Sequence, residues 1–382
     1  MIHGPTPLPA VVLATLALPA VVGCAAPSSA PSVPTAESCG SCHPAQLAEW
    51  RRSPHARGTS SPVFVALHER ARVAWGASSA DRCASCHAPE HAGEDGAVTC
   101  MSCHGAVGNR GAHDGLLVVD PELAPMGPTT LLAPTNEAST GAHAVRDGAL
   151  LRSSQLCATC HELTGPRLFV ETTASEHAAS WASATGVECV DCHAPRVERR
   201  SAHDGPVRGV DHTFAGIDPA WGQAPEAQRD ARDRAVALLD EALDLEVRRT
   251  ASGDAIVAVA NVGAGHSVPT GVAFLRDVWV DVEVALDGRV ESRPRVIELG
   301  DRPVRAGAEV ALITDADDVR HGALAAGEER TITVSAPSAA RVRAVLRARA
   351  ARSDALDALG LAARADEAPV LEVAESTSSA HP

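Results

Sequence analysis

Five times in this chain a cysteine, two intervening residues, a second cysteine and a histidine follow in order. The copies are CGSCH (Cys39, Cys42, His43), CASCH (Cys83, Cys86, His87), CMSCH (Cys100, Cys103, His104), CATCH (Cys157, Cys160, His161) and CVDCH (Cys189, Cys192, His193). Ten of the eleven cysteines fall in these pairs. The spacing suits one reaction above others. Two thiols add across the two vinyl groups of a haem, and the adjacent histidine lies under the iron as its proximal ligand. Zinc ribbons also use paired cysteines, but they need no histidine directly after every second one. A disulfide closed over two residues is a redox device, and five in one exported chain would be odd. The pattern predicts five covalently bound haems c.

An iron held on one face needs a group on the other. Methionine is the ligand that raises potential, and beyond the leader only Met101 and Met126 remain. Met101 lies inside a motif and cannot reach round its own haem. Histidine is left, and the expected distal ligands are His55, His113, His143, His212 and His266, with His203 in reserve. His55 closes Trp50-Arg-Arg-Ser-Pro-His55. His113 and His203 share the sequence Ala-His-Asp-Gly after the third and fifth motifs, which reads as an internal repeat. His143 precedes the fourth motif. His212 lies in Asp-His-Thr-Phe-Ala-Gly, and His266 in Gly-His-Ser-Val-Pro-Thr-Gly. For each, the competing reading is a loop histidine bonded locally. His68 falls on an expected helix from Val63 to Trp75 and is read as a surface residue; His381 is in the tail. His266 carries the sharpest expectation. Gly265 would let the backbone approach a flat porphyrin, and Pro269 would stiffen the loop. Iron would then clamp the two halves of the chain together.

The bulk composition agrees. The 382 residues are 45% apolar, yet include only 4 Phe, 5 Trp and no Tyr. Cores normally draw much of their buried area from aromatic rings; porphyrins would replace them. There is no lysine, and 48 acidic against 33 basic residues give a net charge of −15. Such a balance argues against nucleic acid as a partner. It suits encounters steered by charge with redox partner proteins, either other cytochromes or a quinol-linked complex.

The N-terminus is a leader. An apolar run from Leu8 ends at Val21-Val22-Gly23-Cys24, a signal-peptide pattern that also resembles a bacterial lipobox. Cys24 is the expected site of lipid attachment. It would anchor the protein on a membrane, most simply the outer membrane, facing the periplasm or exterior.

The segments CGSCHPAQLAEWRRSPHA from Cys39, SQLCATCHE from Ser154, GVECVDCHAP from Gly186 and HTFAG from His212 resemble a broad family of multihaem cytochromes. That family includes relatives of the tetrahaem cytochrome of ammonia oxidation, with hydroxylamine oxidoreductase and pentahaem nitrite reductase as enzymatic cousins. NVGAGHSVPTG from Asn261, followed by Arg276-Asp-Val-Trp279, resembles a C-terminal module of such chains, so the likeness spans roughly residues 37–350. It implies that the histidines of W-x-x-S-x-H and H-x-F-x-G, here His55 and His212, bind irons. Where relatives carry Glu-Trp before the last motif, this chain has Glu176-His177, which implies that His177 replaces an aromatic ring. Without lysine the Cys-x-x-Cys-Lys haem of the nitrite reductases is impossible. Without tyrosine so is the cross-link of the hydroxylamine oxidoreductases.

The expected fold class is α+β. A haem-organised N-terminal domain with short helices and many loops precedes an antiparallel β-sandwich. The divisions are a lipoprotein signal peptide (1–24), a Pro/Ser/Ala-rich tether (25–36), a pentahaem domain (37–223), a connecting helix (224–244), the sandwich (245–350) and a partly disordered tail (351–382). Strands are expected at Asp254–Val262, Val278–Val284, Glu309–Ile313, Arg330–Ser335 and Arg341–Arg349, with two more assumed. The expected function is an electron carrier or conduit. The alternative is a multihaem oxidoreductase with one open iron, acting on a small nitrogen or sulfur oxyanion.

Overall fold

Alternating valines at 278, 280, 282 and 284 form the strand Asp277–Leu286, and all four are buried. Asp287 and Gly288 follow with φ of 49° and 76°, the left-handed pair that a tight hairpin turn requires, and the chain returns as Arg289–Leu299. The structure, a computed structural model, describes residues 1, 34–90, 96–111, 114–120, 148–165, 167–201 and 205–378. Cys24, His91, His113, His143, His203 and His381 lie outside the described residues.

Two antiparallel sheets make the C-terminal part. The first runs in the order Arg289–Leu299, Asp277–Leu286, Arg341–Arg349, Leu371–Ser378. The second runs Glu329–Val334, Ala255–Asn261, Leu243–Arg249. Val280 pairs with Leu346 in one sheet and Val247 with Val257 in the other; all four enter a single aliphatic core. This is a β-sandwich whose inner faces are filled almost wholly by Val, Leu and Ala.

Two details differ from expectation. The run Glu309–Ile313 is not a sandwich strand. Ala308–Glu309 joins a small side sheet with Arg302–Arg305 and Asp318–Arg320, and the chain then turns through a short 3-10 helix, Ile313–Asp315. Leu312 and Ile313 are adjacent and both buried, so their burial cannot alternate as a strand's does; they pack with Phe274, Leu275 and Ala355, and against Val63, Leu67 and Trp75. The sandwich also reaches past residue 350. Leu371–Ser378 lies at the edge of the first sheet, and helix Ser353–Ala358 buries Ala355 and Leu356, so most of the expected tail is structural.

The connecting helix is Pro225–Ala242. It opens on Pro at its first position, where no backbone donor is lost, and buries Ala231, Ala235 and Ala242 along one face. Upstream the helices are short, and they wall a cavity of about 2730 Å³. Helix Pro62–Trp75 also starts on Pro and stops at Gly76, whose φ is 90°. Among the described residues no helix is long and apolar enough to cross a membrane.

Candidate cofactor site

Each motif folds as about one helical turn. The histidine amide donates to the carbonyl of the first cysteine at 2.9 Å (His43 to Cys39), 3.0 Å (His87 to Cys83) and 2.8 Å (His161 to Cys157). Cys100–His104 and Cys189–His193 are short helices throughout. Residues three and four apart share a helix face, so both thiols and the imidazole of a motif point the same way. All ten motif cysteines and all five motif histidines line the one cavity. It is several times larger than an ordinary small-molecule pocket of roughly 300–1,000 Å³. Thiols of different motifs meet across it: Cys39 with Cys100, Cys86 with Cys160, and Cys157 with Cys189.

The imidazoles come in pairs. His193 and His266 have ring centroids 6.1 Å apart and planes 22° from parallel. His104 and His212 stand 6.4 Å apart at 16°, and His55 and His161 6.5 Å apart at 60°. The spacing can be checked against coordination chemistry. With a metal–nitrogen bond of about 2 Å on each side, and each ring nitrogen about 1.1 Å from its centroid, imidazoles sharing one metal have centroids about 6.2 Å apart. Each pair joins a motif histidine to one from a distant segment.

Hydrogen bonds fix which nitrogen faces inward. His87 Nδ1 donates to Gly58 O at 2.7 Å, His193 Nδ1 to Ala215 O at 2.7 Å, His212 Nδ1 to Val210 O at 2.9 Å and His266 Nδ1 to Ser267 O at 2.9 Å. A carbonyl oxygen only accepts, so the proton sits on Nδ1 and the Nε2 lone pair is left for a metal. His161 Nδ1 donates instead to the Glu171 carboxylate at 2.9 Å. Burial opposes a charge on His161, but Glu171 overrides it and pushes the pKa up to about 9. His55 is driven the other way. Burial, reinforced by His161, His87 and His193, pushes it down to about 3, which leaves the neutral imidazole that metals require.

The loop that carries His266 is braced from both sides. Asn261, fully buried, donates to His266 O at 2.8 Å and Leu324 O at 3.0 Å and accepts from Ala264 N at 3.1 Å. From the opposite side Glu176 accepts from Ser267 N and Thr270 Oγ1, both at 3.0 Å. Gly265 also serves packing within the protein. A Cβ there would stand 2.6 Å from Ala182 Cβ and 3.2 Å from His177 Cδ2, so the close approach is to protein. His177 is buried beneath this loop and donates its Nε2 proton to Val187 O at 2.9 Å, which matches a substitute for an aromatic ring.

Three positions were misread or missed. His68 is no plain surface residue: it lines the cavity and stacks on Phe64 at 5.5 Å, while Phe64 meets His87 at 4.2 Å. The spacing of Phe64, Leu67, His68, Ala71 and Trp75 on one helical stripe, all on the cavity wall, was the available signal. Phe214 has a φ of 46°, unusual for a bulky residue, and its ring lies edge-on to His55 at 4.8 Å and His212 at 6.0 Å. No local pattern announces Glu171. Among the described residues no group of three or more His, Cys, Asp or Glu side chains converges on a metal position. What converges is pairs, which suit a metal that arrives with further donors of its own. The residues present therefore fit haem: thiols on one turn, an imidazole on each face, and a cavity of the right scale.

Residues 38–105 match the family model described as cytochrome c554 and c-prime. A search of curated proteins finds no match to the sequence. Among solved structures, the fold is similar to the penta-heme cytochrome c552 from Thermochromatium tepidum. The TM-score is 0.66 at 18% identity, covering 91% of this chain and 98% of that one.

Proposed function

We propose that this chain, whose fold is that of a multihaem c-type cytochrome, binds five haems c covalently and conducts electrons between redox partner proteins. Bound haem supplies a one-electron couple; the protein holds it, sets its axial ligands and excludes water. The observation that carries the reading is the set of three imidazole pairs at 6.1, 6.4 and 6.5 Å. They support His193 with His266, His104 with His212, and His161 with His55 as axial pairs. Cys39 and Cys42, Cys83 and Cys86, Cys100 and Cys103, Cys157 and Cys160, and Cys189 and Cys192 supply the attachment points. Contacts between thiols of different motifs support haems packed closely enough for electrons to pass. His–His ligation with methionine nearly absent supports low potentials. A mass measured under denaturing conditions on protein matured by a competent host tests the count: five haems are expected, and four or fewer overturns it.

One observation favours a second reading. His87 is anchored like the other motif histidines, but no imidazole among the described residues faces it near 6 Å; the ring it meets is Phe64 at 4.2 Å. An iron at this motif with one open face would make the protein a multihaem oxidoreductase for a small nitrogen or sulfur oxyanion. A census of spin states separates the two. All irons low-spin supports the conduit; one high-spin iron that responds to such a ligand supports the enzyme.

The leader supports export and lipid attachment at Cys24, which would tether the protein to a membrane, most simply the outer membrane. Cys24→Ser should move it to the soluble fraction; a wild type already soluble after lysis would refute the anchor.

A further inference from the structure

Three buried arginines, Arg57, Arg302 and Arg352, differ from the half-buried Arg276 in how they are neutralised. Arg57, with a side chain 7% exposed, pairs with Asp218 at 2.7 Å. Arg302 has Glu298 at 3.1 Å and Asp277 at 3.6 Å, and Arg352 has Asp354 at 3.2 Å. Among the described residues no carboxylate lies within ion-pairing distance of Arg276. Its Nη1 donates to Ile217 O at 3.1 Å and Ala350 O at 2.7 Å, and its Nε is buried without a partner. The residue lines the cavity. Desolvation pulls its guanidinium below the ordinary arginine range, although Asp218 and Glu171 lie near enough to oppose this. Asp218 is turned to other partners: its Oδ1 receives Arg57 and also accepts from Ala220 N at 2.8 Å. Glu171 is engaged by His161.

Withdrawing a cation even partly from water without a counter-ion costs free energy, so a site that keeps one in place provides for an anion to meet it. Resting on the haem reading above, we infer that Arg276 receives a haem propionate on the cavity wall beside Asp218 and Glu171. A guanidinium offers a planar fork of donors matched to a carboxylate. With Nη1 held by two carbonyls, the rest of the fork stays oriented before the haem arrives. The plainer reading makes Arg276 a strut tying the carbonyls of Ile217 and Ala350. That role accounts for Nη1, but not for an unpaired charge at a cavity.

Arg276 belongs to the sandwich, at the entrance to strand Asp277–Leu286. It is therefore a second contribution of that half to the haems, independent of His266. A cation beside a haem favours the reduced, more negative state. The test is a spectroelectrochemical titration of the full-length holoprotein, with the haem count of each sample taken by denaturing mass. In Arg276→Gln one reduction wave should move to lower potential by about tenfold in electron affinity, about 59 mV for a one-electron couple, while the others hold. Arg276→Lys keeps the charge and should hold that wave near its wild-type position. If Arg276→Gln keeps all its haems and every wave stays put, the propionate assignment fails. If Lys shifts the wave as far as Gln does, the effect is structural and the assignment fails equally. Absence of haem from the wild type would instead sink the functional reading on which it rests.

Discussion

The two halves of this molecule solve the problem of a core in opposite ways. The sandwich closes on itself: Val257, Val259, Val280, Val282, Val342 and Leu346 are sealed from solvent with nothing but neighbouring aliphatic side chains around them. In the N-terminal half the corresponding interior is the large cavity, walled by thiols, imidazoles and short helices, and few of its residues are sealed by protein alone. Period-two aliphatic strands carry enough burial to fold unaided. Single-turn helices do not, because a helix that short is unstable without something to pack on.

This contrast can be broken most severely by withholding haem. Protein made without the attachment machinery should lose the N-terminal half to protease while a resistant fragment beginning near Pro225–Leu243 survives. Equal resistance of both halves would show that the cavity walls hold without their filling. The next largest effect is expected from His266→Ala. On the proposed ligation one iron should turn high-spin, read in the optical or paramagnetic resonance spectrum, and the loop after Asn261 should become protease-sensitive. Unchanged irons and potentials would remove His266 from the ligand set. Leu346→Ala should cost about 2–5 kcal/mol, from lost burial and the cavity left behind. It should lower the melting of the sandwich and leave the haem spectrum alone; a spectral change would show the halves to be more tightly coupled than their cores suggest. The smallest is Glu176→Ala, which removes the acceptor of two hydrogen bonds to the His266 loop and should cost about 1–3 kcal/mol. Glu176→Gln, which keeps an acceptor, should recover part of the loss.

Local chemistry was legible in the sequence, and long-range chemistry only in part. A motif that occupies one turn states its own geometry, so the shared facing of its two thiols and imidazole needed no structure. Strands at Asp277–Leu286, Ala255–Asn261, Glu329–Val334 and Arg341–Arg349 follow from alternation, and helix Pro225–Ala242 from propensity and its opening proline. The run ending at Ile313 misled because an apolar stretch buried on consecutive residues looks like a strand in one dimension. Leu371–Ser378 was hidden because Glu372, Glu375 and Ser376 dilute its apolar face, and an edge strand buries only part of itself. The pairing of His55 with His161, rather than with its neighbour His43, is a property of the closed chain that no spacing encodes. Glu171 matters only through His161, which stands opposite it in the fold, so no local pattern in the sequence could mark it.

His266 has a consequence for biosynthesis. On the proposed export the chain crosses the membrane from its N-terminus, so Cys189, Cys192 and His193 reach the far side before the strands that bracket His266. On the proposed pairing, the fifth haem can be attached while its second axial position is still waiting for Ala255–Asn261 and Asp277–Leu286 to meet across their sheets. The spin state of that iron then reports whether the C-terminal half has finished folding. A truncated or stalled chain would differ in absorbance from a finished one, which gives maturation a checkpoint that can be followed without a label.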